Sequence, residues 1–538
     1  MQEIELKFLV PAARLKGLMR QAKVKSSQIT QLAAHYYDTP DQQLAQAGIG
    51  LRIRKEGDTW VQTLKAGGDG IAARLEHNAI LDNEQVQAML DNDALVPDLT
   101  IYKDTAVDPT LEDFKLKKLA KKLTRLYVTD VQRTTRLLVE KTSGDTDDSH
   151  DNSIEMAYDH GEIIHGNDDS QRDAIQEIEF ELVSGDLDFL FMTAKTWCKR
   201  YKLCLSTVTK AERGGLLIES QSHSQAVSAD LSQLTIDKKT SMPAFVRAAV
   251  HNCLLQILPN SSAIVAGSTD DEHVLQLQIG IHRLRAAIKA FADFSDEINP
   301  DWEPILQQTT TLLSDYNDLT YLANHVEPEL QKHGSPAIDW TKDIDALKIK
   351  PMDAVSANDF QLTLLELIAF TMSDPDLEPQ ADTPAIDPLT KTLSQQHKNI
   401  IKFNEKLDDA DNAELDSADT QSADTQSVDS ESNDEEQTQL ELLQQIKALH
   451  YISEFSAPVF HKKSSKKKTK HWLKRVIEAQ EAVEEHLDHT QYQQRYQLKS
   501  ASDANALYGA GWFAATLKKD HKHAEKRLAN VRDTSTFW

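Results

Sequence analysis

The sequence predicts an α+β protein: a closed β-barrel at the N-terminal end, apolar outside and ionised within, followed by an all-α region. Three observations carry this. Within the first ~180 residues, seven strand-like segments put charged side chains on one face and apolar ones on the other. From residue 236 onward glycine and strand runs become scarce, and apolar spacing near 3.6 takes over. Between them, residues 219–235 are rich in Ser, Gln and Ala and read as a linker.

The elements follow in order. Glu3, Glu5 and Lys7 alternate with Ile4, Leu6 and Phe8; alone, such a strand is as well explained by a solvated edge with an ion pair. The pattern returns at Arg52-Ile53-Arg54, at Trp60–Lys65, at Arg74-Leu75-Glu76, near Arg133, at Ile154–Asp159 and at Glu177-Ile178-Glu179-Phe180-Glu181. Repetition favours a closed barrel, because closure removes sheet edges, and helices must then cover the apolar exterior. Helices are expected from Pro11 to Ala22, from Asp41 to Ala47, and from Asn83 to Asp91 with Asp82 or Asn83 as cap. A basic helix over 112–122 and an amphipathic one over Leu187–Tyr201 complete the set. Strands are expected over 28–38, 49–56, 59–65, 71–81, 124–141 and 153–164, with the acidic run Ser143–Ser153 as a mobile hairpin loop.

The run ExExK at Glu3–Lys7 is followed in order by Tyr36-Tyr37-Asp38-Thr39, Arg52-Ile53-Arg54, Thr63-Leu64-Lys65 and Arg74-Leu75-Glu76. Tyr158-Asp159-His160-Gly161, Glu177–Leu182 and Thr209-Lys210-Ala211-Glu212-Arg213-Gly214 complete the series. Together these motifs resemble the CYTH superfamily, the triphosphate tunnel metalloenzymes, over residues 1–218. The resemblance implies a closed antiparallel eight-stranded barrel, and it assigns Glu3, Glu5, Asp159, Glu177 and Glu179 to metal positions.

A triphosphate demands several converging cations, and the planar fork of Arg bridges two phosphate oxygens. The candidates are Lys7, Arg52, Arg54, Lys65, Arg74, Arg133, Lys210 and Arg213; singly, each would more ordinarily be an exposed ion-pair partner. Clustered carboxylates repel unless a cation neutralises them, and oxygen-only ligation suits Mg²⁺ or Mn²⁺. Glu76 and Glu181 face the same side and would orient the basic residues or the metal ligands. Glu3, Glu5, Lys7 and Lys65 are the expected catalytic set. No Ser/His/Asp or Cys/His arrangement is apparent, so no covalent intermediate is expected. Tyr36 and Tyr37 read as packed aromatics rather than as inward hydroxyls.

The chain has 538 residues and a formal charge of −26, which argues against a general nucleic-acid binder. Glu405–Glu436 alone holds thirteen acids and one lysine. No stretch approaches the ~20 apolar residues that span a bilayer, and no signal peptide is apparent. Three cysteines form neither a disulfide framework nor a zinc pattern. Together these point to the cytoplasm.

The second domain is expected over 236–538. Its helices are expected at 242–258, 271–295, 301–331, 359–372, 388–407, 438–456, 469–489, 491–498 and 502–530, with 408–437 as a disordered acidic insertion. Ile281–Lys289 places His282, Arg285 and Lys289 along one stripe, ordinarily a solvated face. This segment, Leu313–Leu319 and Lys447–Phe455 resemble the CHAD domain, a histidine-bearing helical domain often fused to CYTH and associated with polyphosphate. The resemblance implies polyphosphate contacts from His282, Arg285, Lys289 and Lys447. Asn317-Asp318 replaces the family's Arg-Asp, and Leu440 and Leu443 stand where a His and an Arg are expected. The basic run His461–His471 suits a polyanion or an exposed linker equally.

The expected function is a metal-dependent inorganic triphosphatase that splits tripolyphosphate into pyrophosphate and phosphate, with helices that bind long-chain polyphosphate. The alternatives are a class IV-type adenylate cyclase, a thiamine or nucleoside triphosphatase, and a non-catalytic polyphosphate-binding scaffold.

Overall fold

The structure is a computed structural model that describes residues 2–68, 71–92, 94–140, 152–418, 428–460 and 466–538. Its contacts divide the chain into two compact units. The first comprises Met1–Ser228, Leu255–Leu277 and Pro351–Ser373.

Eight antiparallel strands build the first unit: β1 Gln2–Leu9, β2 Gln28–Asp38, β3 Gly50–Glu56, β4 Thr59–Gly67, β5 Ala73–Leu81, β6 Thr124–Glu140, β7 Asn152–His165 and β8 Asp168–Ser184. They run in the order β5-β4-β3-β2-β6-β7-β8-β1, and β1 pairs back onto β5 to close the barrel. The short strand Cys204–Leu205 adds to the end of β1. The expected acidic hairpin loop, 143–153, lies almost wholly outside the described residues.

The apolar faces point outward and are covered. Leu51, Ile53, Leu64 and Trp60 pack with Val86, Leu99 and Tyr102 from the helix Asn83–Asp91 and the turns after it. Asp82 caps that helix, accepting from Gln85 N at 2.9 Å. On the β1–β8 side, Phe8 meets Phe180 edge-on at 5.9 Å, and Phe180 meets Trp197 of the helix Leu187–Tyr201 at 5.5 Å. The helix Asn358–Met372 joins this unit through Lys195–Glu366 at 2.6 Å and through Gln361 Oε1, which accepts from Leu205 N at 2.7 Å. It is apolar nearly all round, the pattern of a buried helix. The expected basic helix over 112–122 shrinks to Leu116–Ala120. Lys117/Lys121 and Lys118/Lys122 are like-charge pairs four apart, which disfavours extension.

The second unit comprises Ala229–Leu254, Gln278–Lys350 and Asp374–Trp538 and is helical. Four expectations for the helices from residue 236 onward change. The helix Met242–Val265 runs through Pro259 instead of stopping at 258. Asn260 and Ser262 donate to the Gln256 and Leu258 carbonyls and stitch the turn that lacks a proline N–H. The expected helix over 301–331 runs from Trp302 to Lys332 but takes on a π-helical turn at Leu322–Val326, just ahead of Pro328. The expected pair 469–489 and 491–498 is one helix, Lys466–Lys499, because Thr490 returns its hydroxyl to His486 O at 2.9 Å. Finally, the helices Ile386–Ala418 and Val428–Ser456 enter both ends of the acidic stretch 408–437, whose residues 419–427 lie outside the described ones. No helix of the described residues is long and apolar enough to cross a membrane.

Candidate active site

Register brings the ionised faces together inside the barrel. Glu3 opposes Arg74, Lys65 opposes Glu76, Lys7 opposes Glu179, and Glu5 opposes Glu181, which itself opposes Glu155. Arg52 opposes Tyr36, while Arg133, Asp159 and Glu177 align across β6, β7 and β8. The cavity these faces enclose has a volume of about 840 Å³. Its lining includes Glu3, Glu5, Lys7, Arg52, Arg54, Lys65, Arg74, Arg133, Glu179 and Lys210, all expected from sequence.

The expected metal set divides in two. Asp159, Glu177 and Glu179 gather with their carboxylate oxygens within 4.8 Å of one another. Asp159 and Glu177 are buried and do not line the cavity, because the Lys210 ammonium and the Arg133 guanidinium cover them. Lys210 Nζ lies 2.7 Å from Asp159 and 2.8 Å from Glu179 and also bonds Glu177. Arg133 grips Asp159 with two bonds of 2.7 Å and reaches Glu179 at 2.6 Å. Burial would raise these carboxyls, but the two cations hold Asp159 below its ordinary value and Glu179 well below.

Glu3 and Glu5 form the second group with Lys65, whose ammonium is 2.7 Å from both Glu3 and Glu76 and 4.0 Å from Glu5. Here one ammonium serves several carboxylates. Burial and a hydrogen bond with Glu76 push Glu3 up to about 9. Despite burial, the same bond and Lys65 hold Glu76 at about 2, so the two carboxyls share one proton. Burial also raises Glu181.

Lys210 is placed by local sequence. Thr209 caps the helix Lys210–Ile218, accepting from Glu212 N, the N-terminal half of a Thr-x-x-Glu capping pattern. Gly214 lets that helix lie against β6: a Cβ there would overlap the Tyr127 ring, whose hydroxyl donates to Ala211 O at 2.9 Å. Lys7 donates to Val208 O just ahead of the same helix, and burial lowers its pKa.

Two placements depart from expectation. Arg213 does not line the cavity, because Asp173 holds it at 2.8 and 2.5 Å and Ala174 O at 2.6 Å. Tyr36 stacks on Tyr127 at 4.8 Å, but its hydroxyl faces the cavity and accepts from Arg52 at 3.3 Å. Glu155 lines the cavity and was not singled out from sequence. Alternation along β7 puts Glu155 two residues from Ala157 and four from Asp159, on one face, and could have found it.

In the helical unit, burial, Lys447 and Arg285 together push His282 down to about 3, so these three are neighbours. The cations already have partners. Arg285 bonds Glu303 at 3.0 and 2.8 Å, Lys289 bonds Glu303 at 3.0 Å, and Lys447 bonds Glu484 at 2.5 Å.

Residues 1–214 match the family model of the CYTH domain, and residues 248–497 match that of the CHAD domain. Each match covers less than half of the chain, and they stand in the order CYTH then CHAD. An inorganic triphosphatase from Haemophilus influenzae is 30% identical over 227 residues, 41% of this chain and 56% of that protein. The chain thus spans about half the length of this curated relative. Among solved structures, the CHAD domain from Ricinus communis is 18% identical, covering 58% of this chain and 99% of that one with a TM-score of 0.43. A proposed adenylyl cyclase from Hippeastrum, described as having a dominant triphosphatase activity, is 14% identical, covering 41% and 96% with a TM-score of 0.29.

Proposed function

We propose that the barrel hydrolyses inorganic tripolyphosphate to pyrophosphate and phosphate with the help of a divalent cation, Mg²⁺ or Mn²⁺. The observation that carries this reading is Arg52. Its guanidinium bonds the Tyr36 hydroxyl, while its buried Nε has no hydrogen-bond partner among the described residues. A buried donor without a partner is costly unless a ligand meets it, and a phosphate oxygen does so with charge assistance. Arg54, Arg74, Lys7 and Lys65 line the same volume and would hold the remaining charge.

The residues also fit a cation. The donors are oxygen only, and a carboxyl forced up to about 9 beside other carboxylates marks a place short of positive charge. Glu3 and Glu5, which line the cavity, would hold it, and Asp159, Glu177 and Glu179 would take part in a second group once released from Lys210 and Arg133; when bound, such an ion offsets charge on the transferring phosphoryl group and lowers the pKa of water. Lys7 and Lys65 neutralise the departing pyrophosphate. Arg52 and Arg133 orient the chain of phosphates, and the proton shared by Glu3 and Glu76 can leave as the cation enters.

Purified protein with Mg²⁺ or Mn²⁺ is offered tripolyphosphate, ATP and thiamine triphosphate, and phosphate, pyrophosphate and cyclic AMP are followed. Fast release from tripolyphosphate is expected; release from ATP alone, or cyclic AMP, overturns the substrate choice. One observation favours an organic triphosphate as a second reading: Tyr37, Ile49, Leu126 and Leu216 line part of the cavity and give it an apolar side. For the helical domain we propose polyphosphate contacts from His282, Arg285, Lys289 and Lys447, with the Arg and the two Lys exchanging their present carboxylate partners. A cytoplasmic location suits the three free, buried cysteines.

A further inference from the structure

In the helical unit, Lys466–Lys499 and Leu507–Arg532 pack side by side and bring a second donor cluster together, unconnected with the barrel chemistry. Glu485 and His489 stand one turn apart on the first helix, and Asp520 faces them from the second. Their ligand atoms all lie within 4.8 Å of one another. His489 Nδ1 is 2.8 Å from Asp520 Oδ2 and 3.3 Å from the Thr516 hydroxyl. An ordinary His–Asp ion pair accounts for those two residues. It does not account for Glu485, whose carboxylate converges on both, nor for His486. The Nδ1 of His486 is buried and has no hydrogen-bond partner among the described residues. Its ring feels the charges of Asp520 and His489 and meets His521 at 5.4 Å.

We propose that Glu485, His489 and Asp520, with His486 as fourth donor, form a binding site for one divalent transition-metal ion of the zinc class. Imidazole nitrogen with carboxylate oxygen is a donor set that Zn²⁺ and Co²⁺ accept and that Mg²⁺ does not prefer. The three converging atoms lie within 4.8 Å of one another, and small side-chain rotations, with His486 turning in beside them, reach the spacing of a tetrahedral site whose metal–ligand bonds are about 2.0–2.2 Å. Such an ion would clamp the last two long helices of the chain together, as structural zinc sites do.

Full-length protein is stripped with chelator, placed in excess Mg²⁺ to occupy oxygen-only sites, and titrated with Co²⁺ while visible absorption is recorded. The expected result is one equivalent of Co²⁺ with intense d–d bands, displaced by Zn²⁺, and the same in Glu5→Gln. Asp520→Asn combined with His489→Gln should abolish the bands, and His486→Gln alone should weaken binding at least ~10-fold. Circular dichroism checks that each variant is folded. Bands that survive the double substitution in folded protein, or wild-type protein that gives none, overturn the proposal.

Discussion

Lys210→Ala probes the organisation of the barrel most directly. Asp159 and Glu177 are buried, Glu179 is nearly so, and the Lys210 ammonium touches all three. Removing one partner of a buried ion pair costs about 3–5 kcal/mol, because charge remains without compensation. For a unit of this size, about 2 °C of melting temperature accompanies each kcal/mol, so the barrel transition should fall by roughly 6–10 °C at pH 7 without divalent ions. The loss should depend on pH with a defined sign. In the parent, Asp159 and Glu179 are held below their ordinary values. Their contribution to stability is therefore present above the unfolded values of about 4 and fades as pH falls through the folded ones. Without Lys210, Arg133 alone opposes burial at Asp159 and Glu179, so their values move upward and acidification costs the variant less than the parent. The gap between variant and parent should narrow as pH falls from neutral toward about 4 in scanning calorimetry. A loss under ~1 kcal/mol, or one that does not change with pH, would refute the view that Lys210 neutralises this cluster.

Other outcomes follow from the same geometry. Glu5→Gln and Glu179→Gln should each abolish tripolyphosphate turnover while leaving the circular dichroism spectrum unchanged; retained activity rejects their place in the metal set. Lys65→Ala removes a charge-assisted contact of about 1.5–3 kcal/mol, so KM should rise roughly 10- to 100-fold in steady-state assays. The Glu3–Glu76 pair, near 9 and 2 against ordinary values of 4.5, should contribute most stability near pH 4.5 and progressively less toward either extreme. Glu3→Gln should therefore flatten the alkaline side of the stability profile; an unchanged profile contradicts the shared proton. Glu303→Gln frees Arg285 and Lys289 and should tighten long-chain polyphosphate binding by the helical domain in a salt-sensitive way, read by filter retention.

Much of the barrel was legible because a strand writes its two faces into alternate residues. β1 and β8 announce themselves through Glu3-x-Glu5-x-Lys7 and Glu177-x-Glu179-x-Glu181, and β3 through Arg52-x-Arg54. What alternation cannot supply is register across the barrel. Glu5 faces Glu181 and Lys7 faces Glu179 only because of how β1 pairs with β8, and that pairing separates the five acids into two groups. Nor does a period reveal that a lysine on a helix well after the end of β8 completes the inner wall. Arg213, one turn beyond Lys210, looked equivalent, yet Asp173 on β8 captures it. In the helical half, spacing located the helices well. Their ends were misjudged where Pro259 is accommodated and where Thr490 looked like a break.

The helix Asn358–Met372 has a practical consequence for anyone wishing to dissect this protein. Although it lies more than a hundred residues past the last barrel strand, it sits against the sheet's outer helix and bonds the backbone of Leu205. A fragment cut at residue 218 would leave that surface bare, with its oily wall open to self-association. Excision of the barrel half for crystallisation or kinetics therefore calls for carrying 255–277 and 351–373 along, spliced through short bridges rather than discarded.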